Sequence, residues 1–188
     1  MRNTWKWMAL VAPLALAAAC TDGARAPAEA ALAAAGAAID SLKGDAGKYA
    51  PEEVKKLESI YDVAKAAMAN KDYQGVLTFT KDIPVKAREA LAKADTVKSE
   101  LAKAWKEAGG DVTRAIEVAR QQLETARKPP PGWTKATLGK AQAELAVLEA
   151  GWTAASNQYA SGDLTGAVAR AKDLSAQGSE LLRSLGTK

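Results

Sequence analysis

Apolar residues recur at alternating spacings of three and four along most of this chain, and this rhythm limits its fold more than any other feature. The clearest run is Leu138, Ala141, Leu145, Leu148, Trp152, Ala155 and Tyr159. Such spacing places every apolar side chain on one face of an α-helix. The only β-rich stretch, 76–80, lies inside a longer helical pattern. The sequence therefore predicts an all-α protein.

Glycines, prolines and capping residues divide this rhythm into six predicted helices. We expect them at 28–42, from Pro51, from Asp72 with a kink or break at Pro84, from Val112, from Thr134, and from Leu164 to about Leu185. Gly109-Gly110-Asp111 is predicted to stop one helix and cap the next. Short connections favour antiparallel hairpins, arranged as an up-down bundle or as a short tetratricopeptide-like stack.

The first twenty residues have the organisation of an export signal. Arg2 and Lys6 precede an uncharged apolar run, 7–16, which is too short to span a membrane as a helix. Small residues at 17–19 then lead to Cys20, the only cysteine. This segment resembles a bacterial lipobox. The resemblance implies cleavage before Cys20, a diacylglyceryl thioether on its sulfur and an acylated N-terminus.

The lipobox match is imperfect, because Ala17 stands where leucine is usual. The spacing of Ala17 and Ala19 also fits an ordinary signal peptidase site, which would leave a secreted chain with a free Cys20. In lipoproteins of this general kind an Asp directly after the cysteine indicates inner-membrane retention. Thr21 stands there instead, so we expect an outer-membrane lipoprotein that faces the periplasm.

Composition and the positions of the glycines and prolines together predict the domain organisation. We expect a signal peptide at 1–19, the lipidated cysteine with a tether at 20–27, and a first helical half at 28–128. A proline-rich linker at 129–133 then precedes a second helical hairpin at 134–188. Three consecutive prolines also fit a polyproline ligand, but a stiff linker is the preferred interpretation.

The absence of histidine removes several classes of function. The chain has no histidine and one cysteine, which excludes His-based acid–base catalysis, Ser-His and Cys-His nucleophiles, His-ligated zinc and an intrachain disulfide. Aromatic residues are only 5%, which argues against a nucleic-acid stacking platform. Without 1–19, lysine plus arginine falls from 26 to 24 against 22 acidic residues, a net charge of about +2. We therefore expect no enzyme activity, no cofactor or metal, and no nucleic-acid partner.

The chain is similar to itself at an offset of 91 residues, which predicts an internal duplication. Matching pairs include Leu57/Leu148, Glu58/Glu149, Ala64/Ala155, Asp72/Asp163, Gly75/Gly166, Lys81/Lys172, Asp82/Asp173, Glu89/Glu180 and Leu91/Leu182. The most informative are the two Asp-x-x-Gly turns. In each, we expect the aspartate to cap a helix and the glycine to permit close approach of the paired helix.

These turns are similar to the hairpin turn of tetratricopeptide-type repeats, although the 34-residue signature is absent. With Tyr49-Ala50-Pro51-Glu52-Glu53 opening the hairpin, the chain more closely resembles a family of uncharacterised bacterial lipoproteins. Their Ala-rich hairpins begin Y-A-P-E-E and turn at G-D-Y. The resemblance covers about 26–93 and, more weakly, 133–185. It implies an envelope location and a helical fold, and no known activity.

Three further groups of residues allow a functional and a structural interpretation. The lysines and arginine at 86, 88, 93, 98, 103 and 106 form either a basic stripe for an anionic partner or, preferably, a solvated face with local ion pairs. Asp72, Asp82, Asp163 and Asp173 are caps and surface residues rather than catalytic carboxylates. Trp105 and Trp133 are a candidate exposed aromatic patch, whereas Trp152 is expected in the core.

The sequence thus favours a non-enzymatic, lipid-anchored envelope protein that acts as a helical protein-interaction module. Its membrane contact would be made by acyl chains on Cys20, and its partner would be another envelope protein. Two alternatives stay open. One is a structural spacer that self-associates through the long helical seam around 138–159. The other is a soluble periplasmic binding protein.

Overall fold

The computed structural model describes residues 19–125 and 133–186, with side chains from residue 23 onward. Within these residues the chain forms seven α-helices and no strand. They are α1 (Ala19–Asp40), α2 (Asp45–Tyr49), α3 (Pro51–Ala69), α4 (Tyr73–Thr80), α5 (Ile83–Thr125), α6 (Lys135–Ala160) and α7 (Leu164–Ser184). The prediction of an all-α protein is confirmed.

The chain divides into two compact units, and the division falls inside α5. Unit 1 ends at Asp95 and unit 2 begins at Thr96. The sequence had suggested a division at the proline-rich segment 129–133, of which 129–132 lie outside the described residues. The structure divides the chain earlier because the two parts of α5 contribute their apolar faces to different cores.

In unit 1, α1, α3 and α4 pack against one another, and the first turns of α5 complete the core. The main core cluster consists of Ala35, Ile39, Leu42, Ala46, Ala50, Val54, Leu57, Ile83, Ala87, Ala90 and Ala94. A second cluster joins Ala28 of α1, Ala67 of α3 and Val76 of α4. The many alanines allow close approach of the helices, at the expense of core volume.

In unit 2, α6 packs against α7, and the second part of α5 supplies the remaining face of the core. The buried residues are Val112, Ala115, Ile116, Ala119, Ala141, Leu145, Leu148, Ala155, Leu174, Leu181 and Leu185. Six of these are leucine or isoleucine. Unit 2 therefore relies on larger apolar side chains than unit 1 does.

Local sequence signals determine where several helices begin. Pro51 opens α3, with Glu52 and Glu53 in the first turn. Thr134 caps α6 and exchanges hydrogen bonds with Thr137 in a capping box. The predicted break near Pro84 is also present, because α4 ends at Thr80 and α5 begins at Ile83. Proline lacks the amide hydrogen that would continue the α4 hydrogen-bond ladder.

The expected tether at 20–27 is wrong in its conformation, because these residues are helical and belong to α1. Pro27 lies inside the helix. Arg25 and Glu29, one turn apart, form an ion pair at 2.8 Å, and Ala28 is completely buried. Burial of Ala28 and this ion pair stabilise the turn around Pro27, whose ring would otherwise favour a helix end.

The expected helix stop at Gly109-Gly110-Asp111 is also wrong, because α5 continues through it to Thr125. Two interior glycines weaken a helix by about 1 kcal/mol each. Tertiary packing offsets that cost. A Cβ on Gly109 would lie 2.7 Å from the Trp152 ring, so the missing side chain makes room for the indole. Val112 and Ile116, the next apolar residues, are buried in the unit 2 core.

The internal repeat is visible in the structure as a repeat of buried positions. Residues 91 apart are buried in both units for the following pairs: Ala28/Ala119, Ala50/Ala141, Val54/Leu145, Leu57/Leu148, Ala64/Ala155, Val76/Ala167, Ile83/Leu174, Ala87/Gly178, Ala90/Leu181 and Ala94/Leu185. The second part of α5 thus corresponds to α1, α6 to α3, and α7 to α4 with the start of α5. The helix break near Pro84 has no counterpart in α7, where Ser175 is the equivalent residue.

Candidate functional site

The hairpin turns of the two units have the same hydrogen-bond pattern. The Gly75 amide donates to Asp72 Oδ1, and the Gly166 amide donates to Asp163 Oδ1, at 2.9 Å in both cases. A Cβ on Gly75 would lie 2.2 Å from Asp72 Oδ2, and one on Gly166 would lie 2.4 Å from Asp163 Oδ2. The space that each glycine leaves is occupied by the end of the capping aspartate side chain, and at Gly166 also by the side-chain amide of Gln158 on α6. The predicted capping role of both aspartates is confirmed.

The residue before each aspartate adopts a left-handed conformation. Lys71 has φ 60° and Gly162, its equivalent, has φ 88°. The Asp72 amide reaches back to the Ala67 carbonyl at 2.9 Å, and the Asp163 amide to the Gln158 carbonyl at 3.2 Å. This is the Schellman arrangement, in which the last residue of the turn also caps the next helix. The turn residues are thus architectural in both units.

The surface of unit 1 carries a groove between α3 and the start of α5. Its volume is about 610 Å³. The floor is apolar and consists of Leu57 and Ala90, which are buried, and Ile60, which is half-buried. The polar lining residues are Glu53, Lys56, Ser59, Lys86, Glu89 and Lys93. We call this the unit 1 groove.

Unit 2 carries a groove at the equivalent place, between α6 and α7, with a volume of about 390 Å³. Its lining residues are Lys140, Ala143, Glu144, Val147, Leu148, Gln177, Glu180 and Leu181. Most of them lie 91 residues after a lining residue of the unit 1 groove. Val147 is 64% exposed, which is unusual for an apolar side chain beside a groove. We call this the unit 2 groove.

An ion pair crosses the unit 1 groove. The Lys93 ammonium donates a hydrogen bond to the Glu53 carboxylate. This bond lowers the pKa of the Glu53 carboxyl below its ordinary value of 4.5, with help from the Glu53 backbone amide and from the nearby charges of Lys93 and Lys56. Glu53 is therefore ionised at neutral pH and is neutralised by Lys93. In unit 2, Arg120 and Glu149 form another interhelical pair at 2.5 Å, which raises the pKa of the arginine.

The predicted basic stripe is divided between the two units rather than gathered at one site. Lys86 and Lys93 line the unit 1 groove, while Arg88 Nε donates to the Pro84 carbonyl at 3.2 Å. In unit 2, Lys103 faces Glu107 at 4.0 Å, one turn along the helix. These contacts favour the interpretation of the stripe as one solvated face of α5 with local ion pairs.

Trp105 and Trp152 form an aromatic stack with Tyr159 rather than an exposed patch. The ring of Trp105 lies 4.8 Å from that of Trp152 and 4.5 Å from that of Tyr159, with interplanar angles of 17° and 13°. Trp152 and Tyr159 are two turns apart on α6, so the indole of Trp105 fits between them. Trp133 is half-buried and packs on the unit 2 core. The interpretation of Trp105 and Trp133 as an exposed patch is wrong.

The remaining carboxylates do not form a metal centre in the part of the chain that the structure describes. There, no group of three or more cysteine, aspartate or glutamate side chains is placed to hold a metal ion. Asp82 and Asp173 are exposed. Asp173 borders a shallow surface depression beside Val147 and Arg170.

The predicted lipidation site is only partly described. The backbone of Cys20 belongs to α1, but its side chain and residues 1–18 lie outside the described residues, so lipidation stays a prediction. Residues 129–132 of the predicted linker also lie outside them. Among the described helices, none is both long and apolar enough to cross a membrane.

Sequence reasoning did not find the two grooves. The signal was present in the repeat, because Glu53 and Glu144 also match at the offset of 91, as Glu89 and Glu180 do. Recognising a groove requires knowledge of which helices are neighbours, and the spacing within one helix does not contain it. Comparison of the chain with protein-family models, with curated proteins and with solved structures found no match.

Proposed function

We propose that this chain is a non-enzymatic, lipid-anchored protein of the bacterial envelope whose helical units bind another envelope protein. The observation that carries the proposal is the pair of equivalent grooves, one in each unit, with apolar floors between two helices. A groove of this kind suits the apolar face of a partner helix. The polar residues that line the two grooves are lysine, glutamate, serine and glutamine.

The envelope location is supported by the first twenty residues and by the resemblance to bacterial lipoproteins. Acyl chains on Cys20 would contribute about 0.8 kcal/mol per buried methylene, and two or more chains give durable anchoring. Ala28, the first completely buried residue among those whose side chains are described, follows Cys20 by eight positions. At 1.5 Å per residue, α1 would hold unit 1 within about 12 Å of the anchor.

Intact mass spectrometry of the membrane fraction tests the anchor. Wild type should give the mass of residues 20–188 plus a diacylglyceryl group, with or without a third acyl chain, and Cys20→Ala should lose this species. If the soluble fraction contains an unmodified chain of residues 20–188, the proposed lipid anchor is wrong. Such a result would favour the soluble periplasmic binding protein instead.

Site-specific photocrosslinking in living cells tests the interaction. The crosslinking residue is placed at Ser59, on the rim of the unit 1 groove, and at its equivalent Ala150 in unit 2. Ala150 lines a depression that adjoins the unit 2 groove and shares Val147 and Gln177 with it. Ala33, exposed on α1, is the matched control. We expect a crosslinked envelope protein from position 59 or 150 and none from 33. Crosslinks to a second copy of the chain alone would favour the self-associating spacer, and no crosslinks at all would contradict the proposal.

A further inference from the structure

The two grooves have similar floors but differently charged walls. Leu57 and Ala90 of the unit 1 groove correspond to Leu148 and Leu181 in unit 2, and both glutamates recur at equivalent positions. The three lysines do not recur. Lys56, Lys86 and Lys93 are replaced by Val147, Gln177 and Ser184. Since the fold of the repeat is maintained without these lysines in unit 2, they are not needed to build the hairpin.

The lysines give the unit 1 groove a positive character. Three lysines and two glutamates line it, whereas one lysine and two glutamates line the unit 2 groove. Lys93 already forms an ion pair with Glu53. Lys56 on α3 and Lys86 on α5 are exposed, and neither has a carboxylate within ion-pair distance among the described residues, although the charge of Lys56 also acts on Glu53. The two lysines stand on opposite walls of the groove, above its apolar floor.

We propose that the unit 1 groove binds an amphipathic helix of a partner protein whose apolar face is flanked by glutamate or aspartate. This inference rests on the proposed function and specifies the chemistry of the partner. The apolar side chains of such a helix contact mainly the half-buried Ile60, and only the small exposed edges of Leu57 and Ala90, which are 3% and 1% exposed. Its carboxylates pair with Lys56 and Lys86. Glu89 sets the orientation, because it repels any carboxylate placed beside it.

The dimensions of the groove agree with two turns of a helix. Its α3 wall runs from Glu53 to Ile60, a rise of about 10 Å at 1.5 Å per residue. Apolar residues at positions i, i+3 or i+4, and i+7 of the partner cover this length. The Glu53–Lys93 pair crosses the groove and limits it at that end.

Binding of a designed peptide tests the proposal. The protein is the chain of residues 20–188 with Cys20→Ser. The probes are two synthetic amphipathic helices of about 14 residues that share one leucine face. One is flanked by glutamates, the other by lysines. We expect the glutamate peptide to bind, the lysine peptide not to bind, and NMR shifts of backbone amides to concentrate at Leu57, Ile60 and Ala90.

Charge reversal supplies the decisive comparison. The double variant Lys56→Glu and Lys86→Glu should weaken binding of the glutamate peptide about tenfold, because it removes two charge pairs and introduces repulsion. Lys55→Glu with Lys81→Glu, two exposed lysines of unit 1 outside the residues that line the groove, is the charge-matched control and should change binding less than twofold. If the reversed variant loses helix content by circular dichroism, Lys56→Gln with Lys86→Gln replaces it.

The inference is overturned by equal binding of both peptides, by an unchanged affinity in the charge-reversed variant, or by shifts centred on the unit 2 groove. Displacement of the glutamate peptide by phosphatidylglycerol vesicles would also overturn it, in favour of a membrane surface. Failure here is separable from failure of the proposed function. If envelope crosslinks form at position 150 while the peptide does not bind, the function stands and this inference is wrong.

Discussion

At the scale of single residues, Lys71 occupies a position that suits glycine. Its φ of 60° is left-handed, and the equivalent residue in unit 2 is Gly162. A side chain with a Cβ is strained there by about 1–2 kcal/mol. The hydrogen-bond pattern of the turn is the same in both units, so the pair offers a direct comparison of the two residue types in one backbone geometry.

We predict that Lys71→Gly stabilises unit 1 by about 0.5–1 kcal/mol, the relief of strain minus the backbone entropy of glycine. Gly162→Ala should destabilise unit 2 by about 1 kcal/mol, since no atom lies near the added Cβ and the effect is purely conformational. Urea unfolding followed by far-ultraviolet circular dichroism measures both. A loss of stability in Lys71→Gly would contradict the assignment of strain.

The carboxyl of Glu53 gives a pH-dependent prediction. Its pKa is lowered in the folded state by the hydrogen bond from Lys93. The bond therefore stabilises the fold above the ordinary value of 4.5, and this contribution is lost as the pH falls through the lower folded pKa. Lys93→Gln should return the Glu53 pKa toward 4.5, which an NMR titration of the side-chain carboxyl detects. Lys55→Gln, one helix position outside the groove, is the control and should leave the titration unchanged.

At the scale of helices, close contacts decide which glycines are structural. Gly178 on α7 faces Ala115 on α5, and an added Cβ would lie 2.7 Å from the Ala115 Cβ. Neither Cβ can rotate away, because each is fixed by its backbone. The same approach of helices occurs at Gly36, where a Cβ would lie 2.7 Å from the hydroxyl of Tyr61. Contact between two helices, rather than local conformation, requires glycine at Gly178, whereas at Gly36 the tyrosine side chain could shift to admit a Cβ.

We predict that Gly178→Ala destabilises unit 2 by about 1–3 kcal/mol, since α5 and α7 must move apart. Gly139→Ala is the control. Gly139 is exposed on α6 with no atom within 4 Å of an added Cβ, so the change should stabilise the helix by about 0.5–1 kcal/mol. Thermal unfolding of both variants gives the comparison, and a destabilised Gly139→Ala would show that α6 makes contacts on that face.

The helices also show where local signals suffice. Pro51, Asp72, Thr134 and Asp163 were predicted correctly as helix starts because capping involves atoms only a few residues apart. The stop at Gly109-Gly110 was predicted wrongly. Whether the helix ends or continues there depends on Trp152, which is more than forty residues away in the sequence and whose ring lies against Gly109. The grooves were missed for the same reason, since each requires two helices to be known as neighbours.

At the scale of the whole molecule, the chain has two cores and one helix that belongs to both. Each core consists of residues from its own unit, so each unit has its own source of stability. All tryptophans outside 1–19 lie in unit 2, at 105, 133 and 152. In a chain that starts at residue 20, tryptophan fluorescence therefore reports on unit 2 alone, whereas circular dichroism reports on both units.

We predict that the equivalent substitutions Leu57→Ala and Leu148→Ala act on different units. Both leucines are buried, at 3% and 2% exposure, and each change should lower the stability of its own unit by about 2–5 kcal/mol. Leu148→Ala should shift the tryptophan fluorescence transition strongly. Leu57→Ala should shift the circular dichroism transition and change the fluorescence transition much less. Equal shifts of both signals in both variants would show that α5 couples the units into one cooperative transition.

The sequence by itself determined the helical class, most of the helix starts and the offset of the repeat, because each depends on spacings and caps that act within a few residues. It also carries the prediction of a lipid anchor at Cys20. Only the tertiary structure decided that α5 continues past Gly109, that the two units divide between Asp95 and Thr96, and that Lys56 of α3 and Lys86 of α5 line one groove. Those features arise from contacts between helices far apart in the chain, and no local pattern specifies which helices meet.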